Sequence, residues 1–170
     1  VTGWLTGTSY TQASLSPNTS YAVKFEARDA VGHIATYTGS IYTKAEVPSV
    51  TVSTPTFSSL KVTVSDSNPS STQYQIKTGS YYVTQTGALS TSAKWITLSS
   101  KNITVTGLSP NTNYSFAAKA KNGQGVETSQ SAAASGTTLP LPPSAPGTPT
   151  TVSTANSIAV YWNSVTGATG

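Results

Sequence analysis

Side chains able to catalyse a reaction are few in this chain, and their spacing places them at no common site. The single histidine, His33, follows a glycine in a predicted hairpin turn, where a solvated polar role is far commoner than that of a base or metal ligand. Glycoside hydrolysis requires two carboxylates within about 10 Å on either side of one bond. The closely spaced pair Glu26 and Asp29 is better explained by a solvated strand and its turn. The acidic residues are Glu26, Asp29, Glu46, Asp66 and Glu127.

Nucleophile, phosphate and metal motifs are also missing from the sequence. No serine lies in a Gly-x-Ser-x-Gly motif, and no run of alternating Asp and Asn resembles a calcium loop. The chain contains no cysteine, which excludes disulfides and thiol chemistry. The glycines of residues 122–125 join two predicted strands, so they indicate a turn that needs positive φ instead of a phosphate-binding loop. We therefore predict no catalytic residue, no cofactor and no metal, and hence no enzyme.

Composition favours an extracellular protein over a nucleic-acid or membrane protein. Only 8% of the residues are charged, and serine and threonine are abundant. The net charge is +4, but the lysines are scattered along outward strand positions, so we expect no basic stripe and no nucleic-acid partner. No apolar run is long enough to cross a bilayer, and no signal peptide is recognisable. We expect the segment to be an excerpt of a longer secreted polypeptide.

Aromatic rings are the remaining candidates for binding, because they can stack on sugars. Adjacent strand residues face opposite sides, so one of Tyr81 and Tyr82 must point outward, and these two are the candidate glycan contacts. The competing interpretation is packing, since tryptophan in a sandwich usually lies in the core. The rings considered are Trp4, Trp95, Tyr81, Tyr82 and Tyr161.

The elements that would position these side chains are arranged around a repeated motif. LSPNTSY at residues 15–21 returns as LSPNTNY at residues 108–114, 93 positions later. In each copy, a leucine ends one strand, a proline sets a turn and a tyrosine opens the next strand, which describes a tyrosine corner whose phenol bonds to upstream backbone. The corner residues are Leu15, Pro17 and Tyr21, and Leu108, Pro110 and Tyr114.

Strict alternation follows each corner and carries a family resemblance. Tyr21, Val23, Phe25 and Ala27 face one way, and the residues between them face the other. Leu-x-Pro-x-Thr-x-Tyr followed by such a strand resembles the fibronectin type III domain, of the kind found in secreted bacterial surface proteins and extracellular enzymes. The resemblance implies an all-β fold of tandem immunoglobulin-like β-sandwiches. An Arg-Gly-Asp attachment tripeptide, known from some family members, is absent.

The 93-residue period divides the chain into parts of three such domains. Residues 1–46 are predicted to be the C-terminal half of one domain, and residues 47–138 a complete domain. Residues 139–150 form a linker that holds five of the ten prolines, which favours an extended connection. Residues 151–170 supply the first strands of a third domain. Strands are also expected over residues 1–11, 21–28, 34–44 and 126–138, and a turn over residues 87–92.

Two details of the domains stay open from sequence. Trp162 lies where these domains often carry a core tryptophan, whereas the complete domain has Val64 there, so we expect Trp95 to fill its core. The tail of one copy could complete the head of another, but the joined ends would lack central strands. Truncation of a longer array is the favoured interpretation.

The function implied by this resemblance is structural. We expect a non-catalytic stalk, spacer or fibre component of a secreted or cell-surface protein, whose partners are neighbouring repeats or copies of itself. The alternatives are an accessory module that binds polysaccharide or cell-surface glycans weakly beside a polysaccharide-degrading enzyme, and an adhesin or filament subunit that assembles by strand complementation. No nucleic acid and no membrane insertion are expected.

Overall fold

The computed structural model of the protein describes residues 3–168, which contain β-strands and no helix. The predicted all-β class is therefore confirmed for this part of the chain. The strands are β1 (Ser20–Arg28), β2 (Ile34–Tyr42), β3 (Ser49–Ser53), β4 (Ser59–Ser65), β5 (Gln73–Thr78), β6 (Tyr81–Val83), β7 (Leu89–Ser90), β8 (Ile96–Thr97), β9 (Asn102–Thr106), β10 (Asn113–Lys121), β11 (Ala134–Thr137), β12 (Thr150–Ser153) and β13 (Ile158–Tyr161).

Strands β1 and β2 form a two-stranded antiparallel hairpin, and we call residues 3–44, which contain it, the head. Ser20 pairs with Tyr42 at one end and Arg28 with Ile34 at the other. The predicted strand over residues 1–11 is wrong for residues 3–11, because no neighbouring strand edge pairs with them. Residues 1 and 2 lie outside the described part of the chain. The closing strand ends at Tyr42, two residues before the predicted end.

Residues 47–138 form two packed sheets, here called the sandwich. One sheet has the order β3-β4-β9, and the other has the order β11-β10-β5-β6-β7 with β8 paired to β5. Alternate residues of β4 and β10 point between the sheets, so period-two patterning produces the core. The fully buried side chains include Leu60, Val62, Val64, Tyr74, Ile76, Val83, Val105 and Phe116.

Two strand boundaries of the sandwich differ from expectation. The predicted turn at residues 87–92 contains the short strand β7, because Leu89 pairs with Val83 of β6. The predicted closing strand at residues 126–138 is reduced to Ala134–Thr137. Upstream of it, the hydroxyls of Thr128 and Ser131 accept hydrogen bonds from strand β10 amides at 3.0 Å. Side chains thus replace backbone carbonyls in the ladder and interrupt the strand.

The expectation that Trp95 fills the core is wrong. Trp95 is only half-buried, and its neighbour Ile96 points into the core instead. Because successive strand residues face opposite sides, an inward Ile96 turns Trp95 outward. Tyr74 and Phe116, both 0% exposed, occupy the centre of the core.

Strands β12 and β13 pair only with each other within the described residues, and we call them the tail. Thr150 pairs with Tyr161 and Ser153 with Ile158. Trp162 is 70% exposed, whereas its counterpart Val64 in the sandwich is 1% exposed. The tail thus has the alternation of a sandwich strand without an opposing sheet.

Candidate functional site

The two motif copies make the same bond between tyrosine and backbone. Ser109 N donates to Tyr114 Oη at 2.9 Å, and Ser16 N donates to Tyr21 Oη at 2.9 Å. Leu108 is buried at 4% exposure, but Leu15 is 40% exposed because no second sheet covers the head. Pro17 and Pro110, half-buried in both copies, precede asparagines with positive φ.

Removing the phenol oxygen of Tyr114 should destabilise the sandwich. Tyr114→Phe leaves the Ser109 amide without its partner, and we expect the free energy of unfolding to fall by about 1 kcal/mol. Urea denaturation of the 170-residue chain measures this loss. The control is Tyr81→Phe, since the Tyr81 hydroxyl has no hydrogen-bond partner within residues 3–168 and the side chain is 47% exposed. A loss no larger than that of the control would contradict a structural corner.

Asn18 links the head to the sandwich through a buried side chain. Its Nδ2 donates to Thr72 Oγ1 at 2.7 Å, and its Oδ1 accepts a hydrogen bond from Gly123 N at 2.9 Å. The residue is 8% exposed and has φ of 44°, a conformation that asparagine tolerates better than most residues. Asn111, its counterpart 93 positions later, is exposed and makes no side-chain bond within the described residues. The motif therefore has a second role in its first copy.

Two further contacts complete this connection, which we call the joint. Asn122 Nδ2 of the sandwich donates to Thr43 O at 3.1 Å. Tyr42 packs so closely against Gly123 that a Cβ there would come within 2.4 Å of the ring. The joint therefore combines the buried Asn18, the Asn122 amide bonded to the head backbone and a ring packed on glycine, all contacts that resist rotation between the two parts.

A buried ionic cluster lies near one end of the sandwich. The Asp66 side chain is 0% exposed, and Lys101 Nζ contacts its Oδ1. Lys101 Nζ also donates to Tyr74 Oη at 2.6 Å and to Asn68 O at 2.9 Å, while Tyr74 Oη donates to Asp66 Oδ1 at 3.0 Å. Asp66 Oδ2 is buried without a partner in the described residues. The one lysine ammonium therefore balances the charge of a fully enclosed carboxylate.

The titration of this cluster follows from its burial and its hydrogen bonds. Burial raises the pKa of the Tyr74 phenol, because the charged phenolate would lose hydration. For Lys101, burial acts to lower the pKa, but hydrogen bonds to Asp66 and Tyr74 outweigh it and hold the pKa above its usual value. The cluster resembles catalytic groups in composition, but its carboxylate is fully enclosed and cannot contact a substrate.

Three lysines meet on the outer surface of the larger sheet, which corrects the expectation of scattered cations. Lys119 and Lys121 lie on β10, and Lys77 lies on the neighbouring strand β5. Lys119 Nζ and Lys121 Nζ lie 5.4 and 4.5 Å from the centre of the Trp95 ring, and Lys77 Nζ lies 5.7 Å from that of Tyr82. We call this surface the basic face: Gln75, Lys77, Tyr82, Trp95, Lys119, Lys121 and Gln130.

The basic face contains a depression of about 180 Å³. Its lining consists of Gln75, Lys77, Tyr82, Lys119 and Gln130. Of the two candidate glycan contacts predicted from sequence, Tyr82 lines this depression. Tyr81 pairs with Thr78 and does not line it.

Of the residues first considered for catalysis, His33 and Asp29 form an exposed pair in the turn between β1 and β2. Asp29 Oδ2 lies 2.8 Å from His33 Nδ1, and hydrogen bonds from His33 hold the pKa of Asp29 below its usual value. The hydrogen bond to Lys24 lowers the pKa of Glu26. No group of three or more His, Cys, Asp or Glu side chains suited to a metal occurs in residues 3–168. That part of the chain also has no helix able to cross a membrane.

Comparison with known proteins identifies relatives of the sandwich. A family model described as Fibronectin type III domain matches residues 45–137. No curated protein sequence matches the chain.

Several solved structures resemble the sandwich at low sequence identity. The fibronectin type-III domain of human fibronectin type III domain containing protein 3 is 19% identical, with 56% of this chain and 86% of that chain covered and a TM-score of 0.42. FN3tt is 28% identical over 55% of this chain and 97% of that chain, with a TM-score of 0.39. Chicken CNTN1 FN1-FN3 is 22% identical over 76% of this chain and 46% of that chain, with a TM-score of 0.42.

Proposed function

Because the chain belongs to the fibronectin type III family, we propose that it is a non-catalytic extracellular structural module: a stalk, spacer or fibre component of a secreted or cell-surface protein, bacterial in type. In this proposal, residues 1–46, 47–138 and 151–170 belong to three successive sandwiches, with residues 139–150 as the link before the third. Neighbouring repeats are then the principal partners.

Repeated hydrogen bonds support the tandem arrangement. Thr43 Oγ1 donates to Ser16 O at 2.7 Å, and Thr138 Oγ1 donates to Ser109 O at 2.7 Å. Each hydroxyl also accepts a backbone amide at 3.0 Å, from Thr19 and Thr112 respectively. Matched bonds at a spacing of about 93 residues are those expected if the head is the end of an earlier copy of the sandwich.

The observation that carries the spacer function is the joint at Asn18. A spacer must hold its ends apart, which requires that consecutive domains resist bending. Domains joined by linkers alone move relative to each other by default. Here the Asn18 amide, buried between the head and the sandwich, bonds to residues 54 and 105 positions away. These bonds oppose such motion.

Residues 139–150 form the second connection between units and determine how far apart those units lie. Residues 139–150 are rich in proline, and residues 139–149 contain no strand. Proline-rich segments extend by about 3.1 Å per residue and behave as semi-rigid spacers. The chain therefore combines a locked joint with an extended link, and both keep folded units apart.

Replacing Asn18 by glycine should loosen the joint without unfolding the sandwich. Glycine keeps the positive φ and removes both side-chain bonds. Because the chain has no cysteine, spin labels can be attached at Thr38→Cys in the head and Ser115→Cys in the sandwich. Double electron–electron resonance should give a narrow distance distribution for the parent chain and a clearly broader one for Asn18→Gly.

The matched control is Asn111→Gly, which changes the same motif residue at the same backbone conformation. Asn111 has φ of 47° and makes no side-chain bond within residues 3–168, so its replacement should leave the distribution narrow. Equal widths for the parent chain and Asn18→Gly, or an equally broad distribution for both variants, would contradict the proposal that Asn18 stiffens the array.

A further inference from the structure

We propose that the basic face binds an anionic polysaccharide and seats one carboxylated sugar unit in its depression. This inference develops the glycan-binding alternative and does not depend on the spacer function. The spacer function is tested at Asn18, which does not belong to the basic face, so either proposal can fail while the other holds.

The charge of the basic face selects an anionic ligand. Lys119 pairs with Glu127, but Lys77 and Lys121 have no carboxylate within 4 Å among the described residues. Register places Gln75 beside Lys119 and Lys77 beside Tyr82, so Lys77 and Lys119 line the same depression. A carboxylate there would pair with Lys77, the lining cation that the described residues leave without a carboxylate partner.

The ammonium groups are held in place before a ligand arrives. Lys119 and Lys121 both lie over Trp95, and Lys77 lies near the Tyr82 ring. Contacts between cation and ring restrict long side chains that would otherwise move freely. The entropy lost on binding is therefore smaller than for lysines on an open surface.

Amide groups on the same surface suit the hydroxyls of a sugar. Gln75 is only 9% exposed, yet its amide makes no hydrogen bond to any other described residue, and it lines the depression. Its amide atoms remain accessible to solvent, so a sugar hydroxyl can replace the water that bonds to them. Gln130 supplies a second amide, and the Tyr82 ring offers a flat surface for sugar C–H groups.

The shape of the surface favours a saccharide over other polyanions. The depression of about 180 Å³ is below the roughly 300 Å³ at which pockets for drug-sized ligands begin, so it suits a single sugar-sized group. Extended peptides commonly add to the edge of a sheet, whereas these residues lie on its face. Nucleic acids require cations along a track, and here two of the three lysines line a single depression.

The test is a titration of the ¹⁵N-labelled 170-residue chain with an oligomer of galacturonic acid, followed by NMR shifts at low salt. Shifts should be centred on strands β5, β6 and β10, and the affinity should fall as salt is added. Lys77→Gln should bind about tenfold more weakly, the change expected when one charge-assisted hydrogen bond is lost. Lys61→Gln, on strand β4 of the other sheet, is the matched control and should bind like the parent chain.

Tyrosine variants and altered ligands complete the experiment. Tyr82→Ala should weaken binding, whereas Tyr81→Ala should not. The methyl-esterified oligomer should bind at least tenfold more weakly than the free acid, because esterification removes the anion and keeps the ring. Absence of shifts at millimolar oligomer, equal binding of the ester, unchanged binding by Lys77→Gln, or equally strong binding of a polyglutamate peptide would each overturn the proposal.

Discussion

Lys101→Met should be the most destabilising change at a charged residue of the sandwich, lowering the free energy of unfolding by about 3 kcal/mol or more. Methionine keeps most of the side-chain stem and removes the ammonium. Asp66, whose side chain is 0% exposed, would then be buried without its cation. Breaking a buried ion pair from one side typically costs about 3 to 5 kcal/mol. Urea denaturation, compared with the parent chain, measures the loss.

Lys119→Met is the control that distinguishes the loss of a buried ion pair from the loss of an exposed one. Lys119 pairs with Glu127, but those side chains are 28% and 45% exposed, so Lys119→Met should cost about 1 kcal/mol or less. Adding Asp66→Asn to Lys101→Met should recover part of the stability, because it removes the uncompensated charge. Equal losses for the two lysine variants, or no recovery in the double variant, would contradict the account of this cluster.

Alkaline pH provides a further readout for Lys101→Met. The pKa of Lys101 is raised in the folded protein, so its stabilising effect is complete below the unfolded pKa of about 10.4 and is lost as pH rises through the folded value. The raised pKa of Tyr74 lowers the stability of both proteins at alkaline pH, because both contain this phenol. The stability difference between the parent chain and Lys101→Met should therefore be constant near neutral pH and shrink above about pH 10.

Phe116→Ala should unfold the sandwich more readily than any exposed aromatic substitution. Phe116 is 0% exposed and packs with Leu60, Val62 and Tyr74 in one buried cluster. Truncating a buried phenylalanine costs about 3 to 5 kcal/mol, since apolar contacts are lost and a cavity remains. Thermal unfolding followed by circular dichroism should show a much lower melting temperature.

Phe57→Ala is the control for Phe116→Ala within the same unit. Phe57 is 45% exposed, so its replacement should cost about 1 kcal/mol or less. Similar melting temperatures for the two variants would mean that strand β10 does not direct Phe116 into the core. The assignment of alternate residues of this strand to the core face would then be wrong.

Local patterning explains why the fold could be predicted from the sequence. The proline turn and the alternation after Tyr114 are determined by neighbouring residues, and strand β10 begins one residue before that tyrosine. Turn geometry and period-two alternation are local properties, so no distant contact was needed to infer them. The same holds for strand β1 after Tyr21, where prediction and structure differ by one residue.

The functional features depend on residues that are far apart in sequence and were not predicted. Asp66 and Lys101 are 35 positions apart, and nothing in the surrounding residues indicates that Asp66 is enclosed. The second role of Asn18 depends on Thr72 and Gly123 of the next unit, which the local motif does not reveal. Two copies of one local motif, such as those that contain Asn18 and Asn111, can therefore differ in such contacts.

The basic face could also be predicted only in part from the sequence. The outward direction of Lys77, Lys119 and Lys121 follows from alternation, but their proximity depends on the pairing of β5 with β10. The position of Trp95 beneath two ammonium groups follows from the inward direction of Ile96. One available signal was the separation of Lys119 and Lys121 by two positions, which predicts that both lie on the same face of one strand.

The central claim is that the head and the sandwich move as one stiff unit, as a spacer requires. We would measure ¹⁵N relaxation across the 170-residue chain and compare the rotational correlation times of strands β1 and β2 with those of β4, β5 and β10. If the joint is stiff, all five strands should have a single correlation time, and it should be longer than expected for the sandwich alone. Separate, shorter correlation times for the head and the sandwich would show independent tumbling and contradict the claim.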